Sequence, residues 1–224
     1  MKNDNNNNLS KLELLVNNIR ETLVSSVEAS SFPSNTMIPF KTFSLRESLL
    51  HRISDLGSTA YNLFYEQNAL SGIIITRSIL ETVSILYLLT DKIEKRIESE
   101  DLELFDKYLT RLILGSKNKS SDFEAINVLS GIDSWTIKEK GIRKMYNDLS
   151  EFAHPNWWGN LAIMGKIDRN NYKLDFGKEF RKWESPLKIG IISALLVIQS
   201  SYDIYNEMAD ILPQFVELCK SKEM

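Results

Sequence analysis

Between Ile73 and Leu89 the chain is apolar on nearly every side when it is wound at 3.6 residues per turn. A helix of that kind is central and buried, so the rest of the chain must wrap around it. Two charged residues sit inside the segment, Arg77 and Glu81, four apart and hence on one face. Unpaired charges there would cost several kcal/mol each, so they must meet each other or a polar partner. Two readings stay open at this point: a buried ion pair that fixes helix register, or the wall of a polar pocket.

The other segments read as helices around this centre. Leu12, Leu15, Ile19, Leu23 and Val27 make one apolar face of a first helix, which the connector SSFPSNTMIPF (30–40) ends. The stretch SLRE reads as a capping box of Ser44 and Glu47 that opens the second helix, continued by Leu49, Ile53, Leu56, Ala60 and Leu63. His51 faces away from that stripe. A fourth helix spans about 101–114 and ends at Gly115, and residues 116–132 read as a loop with one short helix. A fifth runs from about 134 to 153, with Ile142, Met145, Leu149 and Phe152 on its core side. A last helix opens at Ser185-Pro186 and reaches about Ile211, where Pro213 kinks or ends it. Between these two, LAIMGKIDRNNYKLDFG alternates around a turn-favouring DRNN and predicts a β-hairpin. The expected architecture is all-α: a bundle of five or six helices with a small β-hairpin insertion around 161–176. Residues 1–8 read as a flexible polar leader and 9–221 as a single helical domain.

Composition narrows the function classes. The net charge of −3 argues against a protein that grips long nucleic acid along its backbone. The single cysteine, Cys219, excludes an internal disulfide and fits a reducing cytoplasm. The run IGIISALLVI (189–198) is too short to span a bilayer, and 69–89 carries Arg77 and Glu81, so no membrane association is expected. No glycine-rich phosphate loop, HExxH, CxxC or nucleophile elbow occurs. With two histidines and one cysteine, no metal site is expected, and nothing calls for a cofactor.

The stretch SEFAHPNWWGN (150–160) is the second chemically suggestive feature. Arg143, Asn147, Ser150 and His154 fall within about 60° of one another on a helical wheel, beside the apolar stripe of the fifth helix. His154 stands at its end, because Pro155 disfavours α geometry at the residue before it. A histidine there is either a corner residue capping the last carbonyls or an acid–base group tuned by its surroundings. Trp157 and Trp158 read as a hydrophobic latch for the corner, with stacking of a flat ligand as the sharper alternative.

A central helix with R-x3-E (Arg77, Glu81), then a helix ending S-x3-H-P (Ser150, His154, Pro155), resembles a group of bacterial proteins similar to HEPN all-α domains of toxin–antitoxin and abortive-infection (anti-phage) systems. The resemblance covers roughly residues 45–210. It implies a homodimer, an RNA or nucleotide ligand, or a partner protein of such a system. Active HEPN ribonucleases are metal-independent and use R-x4–6-H. Here His154 matches the histidine, whereas Asn147, Asp148 and Leu149 stand where the arginine would be. Arg143 is about 16 Å away along a helix, too far to share a phosphate with His154. Two readings follow: a non-catalytic binding and dimerisation module, or a ribonuclease with a composite site of His154, Arg77 and Glu81, supported by Asn147 and Ser150.

Overall fold

The computed structural model describes residues 2–118, 120–176 and 184–221. Among these, the chain forms α1 (Lys2–Thr22), α2 (Ile38–Tyr65), α3 (Ala69–Ser99), α4 (Leu102–Leu114), α5 (Val128–Lys138), α6 (Ile142–Ala153), the single turn α7 (Leu161–Met164), the strands β1 (Gly165–Asp168) and β2 (Lys173–Phe176), and α8 (Glu184–Ser221). The all-α class and the small hairpin are therefore present, with β1 antiparallel to β2 and Gly165 opposite Phe176.

As its sequence demands, α3 lies at the centre. Ile73, Ile79, Leu80, Val83, Leu86 and Leu89 are fully buried. Its most extensive contacts are with α8 and α2, and α1 closes a four-helix core by packing on α8 and α2. On the other side α5 and α6 lie against α3. The hydroxyls of Thr76, Thr82 and Thr90 donate to the carbonyls four residues earlier, so these donors are satisfied within the helix.

The second helix and α3 are joined by three residues, with Gln67 in the left-handed region at φ 59°. The ring of Phe64 plugs the seam with α8. A Cβ placed on Gly72 would stand 2.3 Å from its Cε1, and one on Gly190 2.5 Å from the same atom. The two glycines leave the room for that ring. At the far end Phe105 meets Phe215 edge-on at 5.4 Å, tying α4 to the C-terminal turns of α8.

Several expectations need correction. The second helix begins at Ile38 with Pro39 in its first turn, so Ser44 lies inside it and caps nothing. The expected fifth helix is two helices, broken where Gly141 adopts φ 105°, a left-handed conformation that suits glycine. Pro213 lies inside α8, which continues to Ser221. Residues 2–8 of the expected leader are the first turns of α1, and Met1 lies outside the described residues. By length and composition alone, α3 and α8 are apolar enough to cross a membrane; the most apolar stretch of α3 is 61% buried within the bundle and that of α8 44%.

Candidate functional site

Arg77 and Glu81 pair on α3, with Nη2 of Arg77 3.1 Å from Oε1 of Glu81. A third residue joins them from α6. Arg77 Nη2 donates to the Tyr146 hydroxyl at 2.8 Å, and that hydroxyl donates to Glu81 Oε1 at 3.3 Å. The guanidinium carbon also stands 5.0 Å from the Tyr146 ring centroid, a cation–π contact. Burial opposes the Arg77 charge, but the Tyr146 hydrogen bond and the Glu81 carboxylate outweigh it and hold the guanidinium above its ordinary range. The pair is not sealed: the two side chains are 28% and 31% exposed. Glu81 lines a groove of about 300 Å³ between α2, α3 and α4.

His154 stands apart from this cluster. It is the C-terminal cap of α6 at φ −83°, ψ 144°, and its backbone N–H donates to the Ser150 carbonyl at 3.0 Å. Its ring is exposed and, among the described residues, makes no hydrogen bond or ion pair. Tyr146, which carries the link to Arg77, lies eight residues earlier, about 12 Å along the helix axis. The other polar residues of α6 have separate engagements. Arg143 pairs with Asp133 on α5, Ser150 donates to the Tyr146 carbonyl at 2.7 Å, and Asn147 is exposed.

The corner after α6 is built by residues other than the tryptophans. Asn156 accepts from the Gly159 N–H at 3.0 Å and donates to Glu151 at 2.7 Å. The chain doubles back so closely that a Cβ on Gly159 would lie 2.0 Å from the His154 carbonyl oxygen. Trp157 and Trp158 are 49% and 55% exposed, so they do not act as the buried latch expected of them. Trp158 instead lies 6.4 Å from the Phe152 ring, at the edge of a cavity of about 1070 Å³ that Phe64, Tyr65 and Leu187 also line.

A second charged cluster escaped the sequence reading. Glu47 accepts from Arg46 Nη1 at 2.8 Å and from the Tyr205 hydroxyl at 2.9 Å. The Arg46 guanidinium carbon lies over the Tyr205 ring, 3.5 Å from its centroid. Arg46 and Glu47 are only 7% and 6% exposed. Burial pulls the Arg46 pKa down against Tyr205 and Glu47, yet an arginine so paired stays charged. The signal available in the sequence was the adjacent Arg-Glu pair, but the S-x-x-E pattern assigned Glu47 to a cap.

Among the described residues, no group of three or more His, Cys, Asp or Glu is placed to hold a metal ion. No family model, no curated protein and no solved structure matches the chain.

Proposed function

We propose that the protein is a non-catalytic helical module that works as a homodimer paired through α8, in the cytoplasm. The observation that carries this reading is an exposed apolar stripe. Ile189, Ile192 and Leu196 are 41%, 38% and 51% exposed at i, i+3 and i+7 of α8. Two of its three residues, Ile189 and Leu196, meet apolar or aromatic partners when the helix is paired with itself in reverse, and Ile192 meets Gln199. Antiparallel pairing of two copies about a point between Leu195 and Leu196 sets Lys188 opposite Asp203 of the second copy and Ile189 opposite Tyr202. That self-complementarity is what a two-fold interface requires. The likeness to HEPN domains of defence systems belongs to the same proposal and supplies its cellular setting.

The ribonuclease reading needs His154 beside Arg77; within one chain Arg77 is engaged by Glu81 and Tyr146, and His154 is exposed and makes no side-chain hydrogen bond or ion pair among the described residues. The test is light scattering on the purified chain. The wild type runs as a dimer, Leu196→Asp as a folded monomer, Lys188→Glu or Asp203→Lys alone dissociates more readily, and the double swap restores the dimer. A folded wild-type monomer refutes the reading. So does bacterial growth arrest with RNA fragmentation that His154→Ala abolishes.

A further inference from the structure

We propose that the groove between α2, α3 and α4 binds a small oxyanion on a short apolar body, with Arg52 and Arg111 gripping the anion. Both residues line the same space of about 300 Å³, at the lower end of the range for small-ligand sites. Each is fixed by its Nε alone: Arg52 donates to Thr82 Oγ1 at 3.1 Å and Arg111 to the Glu124 carbonyl at 3.2 Å. This leaves the terminal Nη groups of both, the forked donors that match a phosphate or carboxylate, without a hydrogen bond among the described residues.

Charge supports the assignment. Arg46, Arg77, Arg96 and Arg143 each have a carboxylate partner, whereas Arg52 and Arg111, like Arg20 and Arg169, have none among the described residues; of these four only Arg52 and Arg111 line the groove. Among the described residues Glu81 is the one carboxylate lining the groove, and it is engaged by Arg77 and Tyr146, not by Arg52 or Arg111. Arg52 and Arg111 are both exposed, so an anion entering the groove meets two positive charges that no carboxylate holds. Ser78 also lines the groove, and its hydroxyl makes no hydrogen bond among the described residues, so it is available as a donor.

The remaining lining is apolar: Leu45, Leu49, Ile85, Leu112, Ile126 and Val128. A bare anion would leave this surface wet, so the ligand carries a hydrocarbon or aromatic body. Gly115 shapes the wall, because a Cβ there would stand 2.7 Å from the Ala125 Cα and push the following segment away. The site shares no residue with the α8 stripe, and the inference stands whether or not the chain dimerises.

Calorimetric titration with inorganic phosphate, phenyl phosphate and benzoate tests it. Phenyl phosphate or benzoate binds saturably and about tenfold or more tighter than inorganic phosphate, because of the apolar walls. The better of the two arms identifies the head group as phosphate or carboxylate. Arg52→Gln weakens binding by about tenfold or more, Arg52→Lys by less, and the control Arg169→Gln not at all. Arg111→Gln also weakens binding; should it loosen the chain, amide shifts of the wild type confined to the neighbourhood of Ser78, Thr82 and Ile126 report the same contact. No saturable binding of any of the three probes, or binding that Arg52→Gln leaves unchanged, overturns the proposal.

Discussion

Arg77 on α3 donates to the Tyr146 hydroxyl on α6 at 2.8 Å, and that one hydrogen bond joins two helices that the sequence gives no reason to align. It turns an intrahelical pair into a three-residue clasp, since the same hydroxyl reaches Glu81. Tyr146→Phe keeps the ring and the cation–π contact and removes only these two bonds. The expected loss is about 1 kcal/mol in urea unfolding, at the modest end because the charged pair is partly exposed. A loss near zero would mean that water takes over both bonds.

The Arg46–Glu47–Tyr205 cluster is more deeply buried and should behave differently. Arg46→Met strands a buried carboxylate and costs about 3–5 kcal/mol, whereas Arg46→Met with Glu47→Leu together stays within about 1 kcal/mol of wild type. Chemical denaturation of both variants decides it, and equal losses would contradict the picture.

Alkaline titration reads the same packing. Burial pushes the Tyr205 phenol up to about 12, with Arg46 opposing and Glu47 adding to the rise, and burial with Asp91 does the same to Tyr108. Burial alone lifts the Cys219 thiol to about 12. In each case the folded value exceeds the ordinary one, so the stabilisation is fully present below the ordinary value. It is lost as pH rises from about 9 for the thiol and about 10 for the phenols through about 12. Phenolate absorbance should therefore show a late class of tyrosines that ionise together with unfolding. Cys219, fully buried, should react with a thiol reagent only in that same range.

The tryptophans divide sharply. Trp135 is 2% exposed and stacks on Tyr87, so Trp135→Ala should cost about 3–5 kcal/mol. Trp157→Ala should cost under about 1 kcal/mol, because half of that ring is already in water. Comparable losses in the two variants would place Trp157 in the core.

What the sequence made legible was whatever depends on periodicity within one element. The burial of Ile73, Ile79 and Leu86 and the Arg77–Glu81 contact follow from spacing along a single helix. The link to Tyr146 does not, because the register of α6 against α3 is set by the break at Gly141, which the apolar pattern running from 134 to 153 conceals. The Ser44–Glu47 reading failed for a related reason. A local capping pattern cannot announce that Pro39 has already started the helix, nor that Tyr205, 158 residues on, supplies the partner for Glu47. At Trp157 and Trp158 size was mistaken for burial, when Asn156 and Gly159 make the turn.

A double-mutant cycle in urea tests the central claim most directly: that Arg77 belongs with Tyr146 and not with His154. Arg77→Met combined with Tyr146→Phe should fall short of additivity by about 0.5–1 kcal/mol, while Arg77→Met and His154→Ala should add. Coupling of Arg77 to His154, with none to Tyr146, would contradict the account and return the two residues to a shared catalytic site.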